Sequence, residues 1–103
     1  MTQLILAIDA TTTGKRPVVP VRDTRRVTMR SIQASVEGVG AVNAVVKVYG
    51  CNDARFPIEV MTITLSGTNT ATDASADSFP WEHYIADVVS VSAGACVSVV
   101  ASV

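Results

Sequence analysis

The chain has 103 residues, enough for one domain that buries roughly 60–70% of the surface its unfolded form exposes. Hydrophobic residues make up 49% of it but aromatics only 5%, valine occurs 18 times, and no segment carries an i, i+3, i+4, i+7 stripe, which excludes a helical protein and predicts a nearly all-β one. The net charge of −1 argues against nucleic acid as a partner, and no run approaches the roughly 18 apolar residues that a membrane-spanning helix needs.

Residues 3–8, Gln-Leu-Ile-Leu-Ala-Ile, form a first predicted strand. They are too short for the apolar stretch of a signal peptide and have no basic segment before them. Their continuous apolar character predicts burial on both faces, inside the domain or under a neighbour. Residues 9–14 read as a loop. Residues 15–20 hold Pro17 and Pro20, and proline cannot donate to a ladder, so this piece is expected to be an edge strand or an extended arm. Residues 1–22 are accordingly set apart as an N-terminal strand and arm, whose removal should leave the remaining domain folded.

A strand is expected over 26–36. Val27 and Met29 share one parity and Ile32, Ala34 and Val36 the other, so a β-bulge is placed near Arg30 and Ser31. Gly38 and Gly40 mark residues 37–43 as a hairpin connection. Next come two β-rich runs, 44–53 and 58–67. The first puts Ala44, Val46 and Val48 on one face, and Gly50, Asn52 and Asp53 supply a turn between the two. Residues 68–78 lack large apolar side chains and read as a loop or a short polar edge strand. Residues 79–84, Phe-Pro-Trp-Glu-His-Tyr, gather most of the aromatic content. Strands at 84–92 and 95–103, joined through Ala93 and Gly94, close the chain. The sum is an antiparallel β-sandwich, jelly-roll-like, of about seven or eight strands with an extended N-terminal arm, in a single domain over 1–103.

The charges are unevenly placed. Lys15, Arg16, Arg22, Arg25, Arg26 and Arg30 face the single acid Asp23 within their stretch, whereas from Cys51 onward six acids face only Arg55. A basic arm that docks on an acidic patch of a neighbouring subunit fits this asymmetry, and so do solvated strand faces. Chemistry is sparse. The lone histidine, His83, sits among aromatics, where a contact role fits better than a Ser-His or Cys-His site. Cys51 and Cys96 have neither disulfide-framework nor zinc spacing, and the Asn52–Asp53 pair, to which Asp73 and Asp77 could contribute, lacks the close succession of oxygen ligands that a calcium loop needs. No phosphate-binding glycine motif occurs. The expectation is a non-enzyme without metal or cofactor. Phe79, Trp81, His83 and Tyr84, with Arg16, Arg22, Arg25 and Arg26, are the candidate partner-binding residues. Phe79, Trp81 and Tyr84 as a sugar-binding surface, or Trp81 as a plug in one end of the fold, are the two other uses of the aromatic segment.

The order of motifs resembles a class of small β-sandwich structural proteins of tailed bacteriophages. The resemblance rests on residues 10–14 (Ala-Thr-Thr-Thr-Gly), 32–36 (Ile-Gln-Ala-Ser-Val), 46–53 (Val-Lys-Val-Tyr-Gly-Cys-Asn-Asp), 62–67 (Thr-Ile-Thr-Leu-Ser-Gly) and 79–81 (Phe-Pro-Trp), together with the Gly94-centred final hairpin. It implies a virion component on the capsid surface, assembled in the host cytoplasm. That component would be a capsid decoration or cement protein binding the major capsid protein as a homo-oligomer, a trimer for choice. A tail- or fibre-associated sandwich is the near alternative. The turn at 50–53 also resembles that of discoidin-type carbohydrate-binding sandwiches, although Cys51 replaces their serine and Phe56 stands where a tryptophan usually follows. A carbohydrate- or host-surface-binding module is therefore the third reading.

Overall fold

A computed structural model describes residues 3–21 and 29–102. Arg22, Arg25 and Arg26, with Val27, lie outside the described residues. Seven strands occur among those described: β1 (Gln3–Ala10), β2 (Gly14–Lys15), β3 (Val19–Pro20), β4 (Arg30–Cys51), β5 (Ile58–Asp77), β6 (His83–Val91) and β7 (Cys96–Ser102). All pairings are antiparallel and all strands belong to one sheet. The all-β, antiparallel expectation holds, and the sheet curls into a half-barrel.

The fold is organised around the long β4–β5 hairpin. β4 has 22 residues and β5 has 20, against a usual strand of about five or six. A sheet of that length cannot stay flat, and here it bends near its middle. Between Glu37 and Ala41 the residues Gly38, Val39 and Gly40 stand opposite Asn69 alone. Gly40 and Asn69 both take positive φ, 78° and 65°, and the Gly40 N–H donates to Asn69 Oδ1 at 2.8 Å. The bend splits β4 into two arms. Residues 31–37 pair with β7, which carries β1 on its far side, and residues 44–51 pair with β6, which carries β2 and β3. β5 runs along the other side of both arms.

Burial follows the period of two that each strand carries. Ile32, Ala34 and Val36 from one arm and Val42, Ala44, Val46 and Val48 from the other point inward, and Ile63, Leu65, Tyr84, Ala86, Val97, Val99 and Ala101 complete the core. Most of these side chains are fully inaccessible.

Four expectations change. Residues 37–43 are not a hairpin connection but a bulge inside one continuous strand. The two glycines look like a turn, yet Asn69 on the partner strand satisfies the backbone and the chain keeps its direction. The bulge expected at Arg30 and Ser31 is absent, because Arg30 pairs with Asp77 and Ser31 with Ala76 without a shift, and Arg30 itself points inward. Residues 68–77 are strand rather than loop, and the edge strand to which they belong is long rather than short. Backbone pairing with β4 suffices there without apolar side chains. Within the domain β1 buries one face only, which leaves the other for the neighbour that the sequence also allowed. Leu6, Ala7 and Ala10 face the core, while Ile5 and Ile8 are 56% and 66% exposed. Finally, the described part of the expected arm is laid into the sheet, with β2 and β3 as edge strands, the other form expected for residues 15–20. β1 pairs with β7, Arg16 N–H donates to Ala86 O at 2.7 Å, and Val21 N–H donates to Glu82 O at 2.8 Å. Removing 1–22 would therefore cut into the core.

Candidate interaction site

Curling of the hairpin brings the two ends of β5 to one mouth of the half-barrel, and residues 78–82 cross that mouth. The local cause is an inward arginine. Arg30 shares the parity of Ile32, Ala34 and Val36, so the strand drives its guanidinium into the interior, where it is 7% exposed. A buried cation needs acceptors. Arg30 Nη1 donates to Trp81 O at 2.7 Å and to the Tyr84 hydroxyl at 3.3 Å. That hydroxyl donates in turn to Asp77 Oδ2 at 3.1 Å, and Asp77 Oδ1 accepts from the Phe79 N–H, also at 3.1 Å. Asp77 is 6% exposed. The Tyr84 oxygen thus links a buried acid to a buried base. Burial, first among several influences, pushes the Tyr84 phenol above its usual pKa, and the Arg30 hydrogen bond opposes it.

This network pins the backbone on which the aromatics stand. Trp81 is half-buried and lies flat on Gly50, where a β-carbon would fall 2.5 Å from the indole. Phe79 leans on Trp81 with ring centroids 5.7 Å apart and is 63% exposed. Together with Ile58, Glu59, Val60 and Asp77 the two rings line a cleft of about 380 Å³. Ile58 and the nearby turn residue Phe56 are exposed too, so one end of the molecule presents an apolar surface. The turn that carries Phe56 is stiffened by Asp53, whose carboxylate accepts from the Arg55 backbone and side chain. Those bonds, the side-chain one foremost, hold the Asp53 carboxyl below the ordinary carboxylate range.

Of the expected partner-binding residues, Phe79, Trp81 and Tyr84 come together at this mouth. Tyr84 is fully buried and supports the site instead of presenting a surface. His83 is half-buried opposite Cys51, and its Nδ1 has no hydrogen-bond partner. Arg16 lies apart on the β2 edge, where its side chain bonds Thr12. Sequence reasoning missed Arg30 and Asp77 as a supporting pair and Gly50 as the seat of Trp81. Arg30 was detectable as a charge in phase with Ile32, Ala34 and Val36.

Cys51 and Cys96 are free thiols. Burial, then the Asp53 charge, raises the pKa of Cys51, and burial followed by the Asp9 and Glu37 charges raises that of Cys96. Neither environment favours the thiolate that nucleophilic chemistry uses. No group of three or more His, Cys, Asp and Glu side chains suited to a metal ion occurs among the described residues.

No protein-family model and no curated protein sequence matches the chain. Among solved structures it is similar to the SPBc2 prophage-derived protein YomS, at 14% identity and a TM-score of 0.55, over 98% of this chain and 92% of that one. At that identity the likeness is one of fold.

Proposed function

We propose that this chain is a non-enzymatic structural protein of a bacteriophage particle, and specifically a capsid decoration protein that binds the major capsid shell as a homo-oligomer. The observation that carries the reading is the likeness of fold, end to end, to a prophage-derived protein. The curled sheet is compatible with the two-layered, jelly-roll-like arrangement of such proteins, since the two arms of β4 share one core. The surface supports it as well. Ile5 and Ile8 on β1, and Phe56, Ile58 and Phe79 at the aromatic mouth, are large apolar side chains left in water at separate parts of the fold. A lattice subunit uses such places for contacts to its own copies and to the shell, and many copies let each contact be weak. A tail or fibre subunit would draw the same support.

The test is co-sedimentation with empty tailed-phage capsid shells, beside light scattering of the free protein. Saturable attachment that is lost on Phe79→Ser is the expected result. A protein that never pellets with any shell refutes shell binding. The aromatic cleft favours a second reading, a carbohydrate-binding surface on Phe79 and Trp81. A glycan screen read by Trp81 fluorescence distinguishes it, since sugar stacking would change the emission and shell binding alone would leave free sugars inert.

A further inference from the structure

Among the described residues the half-barrel has three free margins, and they are treated differently. β1 is broken by register shifts after Ile5 and after Ala7, and Asp9 there takes a φ of 47°. β2 and β3 are two residues each, with Pro17 between them and Pro20 at the end. Bulges, short strands and prolines are the usual means by which a protein stops its edges from recruiting another strand. β5 has none of these over its second arm. From Thr70 to Asp77 it pairs with β4 in unbroken register and with no other strand among the described residues. It contains no proline, lysine or arginine. Residues 72–76 are exposed in succession, so both faces of the strand are open beside its free edge.

We infer that the outer edge of β5 over residues 70–77 accepts an extended, Lys- or Arg-bearing strand from a different protein. Backbone N–H and C=O groups along the edge supply the affinity, as in other cases of strand addition. Charge selects the occupant. Glu59, Asp73 and Asp77 are the only charged residues on β5, and Asp77 is buried while Glu59 has Lys47 at 3.8 Å. Asp73 has no ion pair among the described residues, and its carboxylate accepts only the neighbouring Ala74 N–H. A second copy of this chain is a poor occupant. Pairing two β5 arms about their centres brings Asp73 close to its own counterpart, and like charges across strands repel. The proline-blocked and bulged margins offer no regular strand either.

The probe is a synthetic peptide alternating Lys with Thr and Val, titrated into the full-length isotope-labelled protein and followed by amide NMR. Saturable shifts confined to residues 70–77 and their β4 partners are expected. The same peptide with Glu in place of Lys should bind more weakly. Asp73→Lys, at an exposed site that leaves the fold intact, should weaken the Lys peptide by about three- to tenfold and strengthen the Glu peptide. The inference is overturned by shifts centred elsewhere, by no saturable binding, or by equal binding of the two peptides. Concentration-dependent shifts at 70–77 without peptide would also overturn it, in favour of self-association. No shell is needed, so this outcome is independent of the co-sedimentation result.

Discussion

Tyr84→Phe tests whether the buried hydroxyl holds the aromatic mouth together. The substitution keeps the ring, which has no accessible surface, and removes one oxygen. Two hydrogen bonds go with it, the one donated to Asp77 Oδ2 at 3.1 Å and the one accepted from Arg30 Nη1 at 3.3 Å. Bonds to charged groups contribute about 1.5–3 kcal/mol each, and both of these are longer than the usual optimum, so each belongs at the low end. Arg30 keeps Trp81 O, and Asp77 keeps the Phe79 N–H, so neither buried group is fully orphaned. The expected loss is therefore about 2–3 kcal/mol. With a urea slope of about 1–3 kcal/mol/M, the unfolding midpoint should fall by roughly 0.7–3 M with the slope unchanged. Arg30→Met should couple to it in a double-mutant cycle, since both changes break the same bond. A loss under about 0.5 kcal/mol, or strict additivity, would refute the view that this oxygen links the acid to the base.

The same residue sets a pH dependence. The folded pKa of Tyr84 lies above the unfolded value near 10. Its contribution is whole below that value and is lost as the pH rises toward the folded pKa, so stability should fall on the alkaline side, and this part of the fall should vanish in Tyr84→Phe. Gly50→Ala would set a methyl 2.5 Å from the indole and push Trp81 outward, costing about 1–3 kcal/mol and moving its fluorescence to the red; unchanged emission would show that Trp81 does not rest there. Leu6→Ala should cost about 2–5 kcal/mol by denaturant titration, because β1 is part of the core and not a detachable arm, whereas a change within about 0.5 kcal/mol would restore the arm.

Much of the fold was legible in one dimension. Strand alternation is local, so the inward sets Ala44–Val46–Val48 and Val97–Val99 could be read directly, as could the Asn52–Asp53 turn, whose Asx bond to Arg55 spans two residues. The aromatic segment also announced itself by composition. What stayed hidden depended on partners far along the chain. Gly38 and Gly40 signal a turn by their own chemistry, and only Asn69, opposite them in the folded sheet, makes them a bend within one strand. Residues 68–77 have no apolar pattern, because their strand is held by the backbone of β4 and not by a buried face. Arg30 looked like one more member of a basic run until the strand turned it inward toward Tyr84, 54 positions away. Local alternation thus determined the class and most of the strands. Which strands neighbour one another, and which charges are buried, were decided only by the bend of the β4–β5 hairpin, because pairing across a curled sheet joins residues whose separation in sequence carries no signal.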